Sequence, residues 1–263
     1  MKPYAIILAA DLPSAEQVLS VVKQVGTAVD GVKIGVATTL ESGRGILPKV
    51  RDLIEDRPLL MDLKIADIGF LGEKGWQGTN AKMIRGLSGC GVTHVTVHGF
   101  PGPVSVAEAV NAAQEAEMKV LLLPLMSHAG ARLFFSRPMA ASDLVYATVK
   151  AGLDTPYPKN LSCADVTEGI ILMGEALGVA GYIGPATRPV DLQRYRAMTE
   201  KPIWCPGFGR QDRHGRDLEE QFREWAQIVG PASAAIVGSA IFGAADPAAA
   251  AREIAEIRDR VVE

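Results

Sequence analysis

LLMDLKIAD, residues 59–67, reads as a strand whose inner end has been given charge: three apolar residues, then Asp62, Lys64 and, just past the run, Asp67. Successive strand side chains alternate between faces, so Asp62 and Lys64 are expected on one side and Asp67 in the loop beyond. A second lysine, Lys33, interrupts the apolar run Gly31-Val-Lys33-Ile-Gly35. If Lys33 points into the same mouth, two ammonium and two carboxylate groups balance to zero. A structural ion-pair network is the plainer account of such a cluster. Buried pairs are seldom a net gain in stability, however, and four such groups at strand ends favour chemistry.

Outward from that strand, seven other short apolar runs recur along the chain. With it they make eight: Ala5–Ala10, Gly31–Ile34, Leu59–Lys64, Val92–Val97, Val120–Leu125, Gly181–Ile183, Ile203–Cys205 and Ala234–Val237. Between them lie stretches with helical spacing, among them Ser14–Val25 with Ser14 as N-cap, Val104–Ala116, Pro189–Met198, Asp217–Ile228 and Pro247–Val261. Strands alternating with helices predict a parallel sheet, and eight units predict a single (β/α)8 TIM barrel over residues 1–263, with its active site at the C-terminal strand ends. A doubly wound sheet is the second choice. The segments Gly69–Gly78, Ser127–Ala140 and Phe208–Arg216 each follow a strand and are expected to be loops over the active face.

Composition narrows the class. The 263 residues are 48% apolar and 22% charged, enough to bury a large core. A formal charge of −3 gives no broad basic field for nucleic acid, so an anionic ligand must be met locally. Cys90, Cys163 and Cys205 form neither a disulfide framework nor a zinc-site spacing. His98 and His128 also lack ligand spacing and are expected to be structural, hydrogen-bonded histidines. The first apolar run is too short for a signal segment, and no long apolar run follows. A soluble, unprocessed, cytoplasmic protein with no membrane partner is expected.

Several strand-end motifs then occur in register: Ala-Asp11-Leu, Val-Lys33-Ile-Gly, Asp62-Leu-Lys64-Ile-Ala-Asp67-Ile, His98-Gly-Phe-Pro-Gly102, Met126-Ser127-His128, Gly184-Pro-Ala-Thr-Arg-Pro189, Pro206-Gly-Phe-Gly209 with Gln211, and Ile236-Val-Gly238. Through them nearly the whole chain resembles the orotidine 5′-monophosphate decarboxylases, archaeal-type sequences above all. A related sugar-phosphate branch, 3-keto-L-gulonate-phosphate decarboxylase and hexulose-phosphate synthase, shares the Asp-x-Lys-x-x-Asp hexapeptide and uses it to help hold magnesium. Lys33 discriminates, because that branch typically carries an acidic residue near the second strand end and a lysine repels a divalent ion.

The resemblance implies a carboxy-lyase of pyrimidine biosynthesis that converts orotidine 5′-monophosphate (OMP) to UMP with no metal and no cofactor. Lys33, Asp62, Lys64 and Asp67 would form the reaction centre, with Lys64 as proton donor and Asp62 holding it. Asp11 and Lys33 would contact ribose hydroxyls, Ser127 would read the pyrimidine edge, and Gln211 would link base and phosphate. Backbone N–H groups near Gly238 and Ser239 would cradle the phosphate, and Pro206 would be a further substrate-binding residue. It further implies a homodimer in which Asp67 and Thr79 complete the neighbour's site.

Two features depart from the resemblance. An arginine is usual after the glycine of the last strand, where this chain has Ser239; Arg210 and Arg213 are the candidate replacements. Gly69–Gly78 looks inserted between Asp67 and Thr79, as a lid or part of a dimer contact, with Trp76 as an anchor. Two other functions stand beside the leading one: a paralogous decarboxylase for a modified or non-phosphorylated nucleotide or a sugar phosphate, and a silent nucleotide-binding or scaffold barrel.

Overall fold

The computed structural model describes residues 2–158, 160–209 and 215–262. The strands found there are β1 (Ala5–Ala9), β2 (Gly31–Gly35), β3 (Leu59–Ile65), β4 (Leu71–Gly72), β5 (Gly75–Trp76), β6 (His94–His98), β7 (Lys119–Leu123), β8 (Gly181–Ile183), β9 (Ile203–Pro206) and β10 (Ala234–Val237). All but β4 and β5 are parallel and close into a barrel in the order β1-β10-β9-β8-β7-β6-β3-β2. Each of the eight apolar runs is thus a barrel strand. Closure excludes the doubly wound sheet, which would keep two open edges.

The helices are α1 (Ala15–Val25), α2 (Val36–Ser42), α3 (Ile46–Ile54), α4 (Thr79–Arg85), α5 (Pro103–Glu115), α6 (Arg132–Phe135), α7 (Ala141–Lys150), α8 (Val166–Leu177), α9 (Pro189–Met198), α10 (Leu218–Ile228), α11 (Ser239–Phe242) and α12 (Pro247–Val262). Their ends follow local chemistry. Ser14 caps α1 by accepting from the Gln17 N–H, and Asp217 with Glu220 forms a reciprocal capping box on α10. No helix among the described residues is long and apolar enough to cross a membrane.

Strand alternation divides the core in two. Ala5, Ile7, Leu60, Leu121, Trp204 and Ile236 fill the barrel, whereas Ile6, Leu8, Val32, Met61 and Val95 pack outward against the helices. The closing helix is fixed to the barrel by a buried ion pair, Arg258 Nη1 to Asp30 Oδ2 at 2.7 Å, and the same carboxylate oxygen accepts the Ile6 N–H at 2.9 Å.

Two of the expected loops carry structure of their own. Within Gly69–Gly78 the chain forms the antiparallel β4–β5 hairpin, with Leu71 opposite Trp76. Trp76 is buried and joins the outer core, as expected of an anchor. Ser127–Ala140 contains a 3-10 turn, Ala129–Ala131, followed by α6. Here helical spacing is too brief to stand out from sequence, and the salt bridge Arg132–Asp191 at 2.7 Å ties the segment to α9. In Phe208–Arg216, residues 210–214 lie outside the described residues.

Candidate active site

At the C-terminal mouth of the barrel lies a cavity of about 290 Å³ to which every barrel strand contributes: Ala9, Lys33, Asp62 with Lys64, Thr96, Leu123, Ile183, Pro206 and Ile236. Its charge is concentrated in a chain of alternating sign. Lys33 Nζ lies 2.5 Å from Asp11 Oδ2 and 3.4 Å from Asp62 Oδ2, and Lys64 Nζ lies 2.7 Å from the same Asp62 oxygen. Two lysines and two aspartates cancel, which makes the burial of Lys33 and Asp62 tolerable, while Asp11 and Lys64 stay partly open to solvent. Within one protomer the second carboxylate of this run is Asp11, just past the end of β1.

Position along the strands explains the cluster. Gly35 closes β2, and a Cβ there would sit 2.5 Å from Asp11 Oδ1; the glycine lets that carboxylate reach Lys33. In β3 the regular ladder breaks. Met61 pairs with Val95 and Ile65 with Val97, so Asp62, Leu63 and Lys64 together face Thr96 alone. Lys64 has φ of 50°, a left-handed conformation that side chains other than glycine seldom adopt. Simple strand alternation was therefore an incomplete account of how Asp62 and Lys64 share the mouth.

Electrostatics follow from this packing. Burial would raise the Asp62 pKa, but Lys33 and Lys64, together with hydrogen bonds from Lys64 and Thr96, hold it below the ordinary carboxylate range. His98, on β6, is pushed down by burial and by Lys64, with Asp62 opposing. Its ring makes a tilted contact with Phe100, centroids 5.1 Å apart, and has no hydrogen-bond partner among the described residues, so the expected hydrogen-bonded role does not hold for it. His128 is exposed.

The cavity gathers most of the residues that sequence pointed to. Asp11, Lys33, Asp62, Lys64, Ser127, Pro206, Gly238 and Ser239 all line it. Asp67 and Thr79 do not; both are exposed, and the Asp67 carboxylate accepts the N–H of Ile68 at 2.7 Å. Gln211, Arg210 and Arg213 lie outside the described residues. Near Ser239, Phe242 and Phe208 form an apolar wall. Sequence reasoning missed Thr96. The signal was there: in HVTVH the lumen-facing residues His94, Thr96 and His98 are all polar in a strand otherwise made of valine.

A model of the orotidine 5′-phosphate decarboxylase / HUMPS family matches residues 4–254. The chain belongs to that family. Among curated relatives, the orotidine 5′-phosphate decarboxylase of Methanosphaera stadtmanae is 29% identical over 253 residues, 95% of each chain. That of Methanococcoides burtonii is 28% identical over 97% of each. The Methanocaldococcus jannaschii orotidine 5′-monophosphate decarboxylase, solved with the inhibitor BMP, superposes with a TM-score of 0.75 at 24% identity, covering 98% of this chain and 100% of that one. The Pyrococcus horikoshii enzyme gives 0.70 at 24% identity, over 97% and 99%. For a family whose description spans two branches, the arrangement of Lys33 between two carboxylates is the feature that bears on the reaction.

Proposed function

We propose that this chain decarboxylates OMP to UMP as a cytoplasmic homodimer of single-domain barrels, without metal or cofactor. The observation that carries the reading is the Asp11–Lys33–Asp62–Lys64 chain at the mouth of the barrel. Two ammonium groups around one carboxylate make a poor seat for a divalent ion and a good one for developing negative charge. Full-length similarity to proteins named as orotidine 5′-phosphate decarboxylases supports the same assignment, and three free cysteines suit a reducing compartment.

In the reaction the C6–carboxylate bond breaks, CO2 leaves, and the electron pair stays at C6. Lys64 faces that charge and delivers a proton from Nζ to C6; water restores it. Asp62 keeps Lys64 aimed. Lys33 and Asp11 hold ribose hydroxyls, Ser127 reads the pyrimidine edge, and Gln211 spans base and phosphate. The backbone at Gly238 and Ser239, which opens α11, receives the phosphate, whose grip orients the distant C6, and Pro206 lines the substrate cavity. Asp67 and Thr79 serve the partner's site. Exposed Ile68, Phe70 and Leu71 beside Asp67 offer that contact an apolar surface.

The test is turnover of OMP with chelator present, followed by loss of the orotate chromophore, with orotidine as the unphosphorylated comparison. Fast turnover of the nucleotide alone supports the reading. A second reading, a paralogue for an unphosphorylated or altered substrate, draws on Ser239 and the apolar wall at Phe242. Equal turnover of orotidine, or none of either compound, would favour it over the first.

A further inference from the structure

We propose that Thr96 is a positioning residue for this reaction, holding Asp62 and Lys64 in their working arrangement by bonding to both at once. The inference rests on the decarboxylase reading above. Thr96 is 2% exposed and stands on β6 opposite the three-residue irregularity of β3. Its hydroxyl donates to Asp62 Oδ1 at 2.7 Å and accepts the Lys64 backbone N–H at 2.8 Å. A hydroxyl has one donor and two acceptor sites, so both bonds are satisfied together.

The division of labour on Asp62 makes this bond consequential. Oδ2 takes both ammonium groups, whereas Oδ1 has Thr96. Removing the hydroxyl frees the carboxylate to turn about its own axis. It also deprives Lys64 of the backbone partner that offsets its left-handed φ of 50°. The side chain of Lys64 is 40% exposed, so packing alone does not hold it. Thr96 therefore couples the aim of the ammonium to the orientation of the carboxylate beside it.

Two variants separate this role from simple packing. Thr96→Val keeps the shape and loses both bonds, and Thr96→Ser keeps the hydroxyl. With OMP as substrate, Thr96→Val is expected to lower kcat roughly tenfold or more with KM changed by less than about threefold, and Thr96→Ser to recover most of the loss. The Asp62 carboxyl, titrated by carbon-13 NMR, is expected to move to higher pKa in Thr96→Val and back in Thr96→Ser. The groups facing it, Lys33, Lys64, Asp11 and His98, are the same in all three proteins. An unchanged kcat and titration in Thr96→Val, or a Thr96→Ser protein no better than Thr96→Val at equal fold content, would overturn the proposal. Were the wild-type chain inert towards OMP, the reaction reading would fall and the kinetic half of this inference with it. The titration would still decide whether Thr96 holds Asp62.

Discussion

Asn80 and Asp67 grip each other across the β4–β5 hairpin: the Asp67 N–H donates to Asn80 Oδ1 at 3.1 Å, and Asn80 Nδ2 donates to the Asp67 carbonyl at 2.9 Å. Ser105 Oγ donates to that carbonyl as well, at 2.6 Å, so the backbone of Asp67 is held from two helices. Asp67 and Thr79, distant in sequence, are thereby kept together at the rim, outside their own cavity.

That placement makes service to a partner testable by mixing. Lys64→Ala and Asp67→Ala proteins, each inactive alone, are unfolded and refolded together. If Asp67 acts across the interface, half of the random dimers contain one competent site, and activity returns to about a quarter of wild type. If it acts within its own subunit, the mixture stays inactive, and the homodimer role given to Asp67 is wrong.

Glu108 supplies a second clasp. It is fully buried on α5, and its Oε1 accepts the N–H groups of Gly78 at 2.5 Å and Phe70 at 3.3 Å, one from each foot of the hairpin. A Cβ on Gly78 would lie 2.5 Å from both carboxylate oxygens, so glycine is required for this approach. Glu108→Ala leaves two amides without an acceptor and is expected to cost about 2–4 kcal/mol in urea unfolding. Trypsin should then cut at Lys74 faster than in the wild-type chain. Equal rates of cutting would show that the hairpin is held by Trp76 instead.

Much of this was readable from sequence because barrel strands announce themselves: β8 and β10 are uninterrupted apolar runs, found at their exact limits. The charged cluster was readable for the opposite reason, since Asp62 and Lys64 break an apolar pattern. The irregularity in β3 was hidden, because a ladder register depends on which strand lies alongside and β6 is separated from it by the hairpin and α4. Spacing along one segment likewise cannot reveal that Asp11, just past the end of β1, comes beside Lys33. The hairpin itself has strands of two residues each, below the length at which alternation can be seen.

His94 gives a pH dependence of stability from the far end of the barrel. It stacks on Trp204 at 4.7 Å, and burial, with the nearby Lys119 charge, pushes its pKa down to about 4. The unfolded chain binds a proton near pH 6.5 that the folded chain refuses until about pH 4. Stability therefore falls as pH drops through that window, by on the order of 3 kcal/mol from this group. His94→Phe keeps an aromatic partner for Trp204 without the titration. Urea unfolding at pH 7 and pH 4.5 should show a smaller loss for the variant than for wild type; identical losses would place the dependence on other groups.

The phosphate end yields the last prediction. Among the described residues lining the cavity, the cations are Lys33 and Lys64, both engaged with carboxylates. A dianionic phosphate beside Ser239 and Phe242 needs a cation from elsewhere, and Arg210 and Arg213 flank Gln211 in the segment after β9. A charge-assisted contact contributes roughly 1.5–3 kcal/mol, so losing the right arginine should cut kcat/KM for OMP by about 10- to 150-fold. Turnover of orotidine, which has no phosphate to grip, should be the same in Arg210→Ala, Arg213→Ala and wild type. A variant that weakens both compounds equally would mark its arginine as a support of the loop, and two variants without effect would leave the phosphate to backbone N–H groups and Ser239.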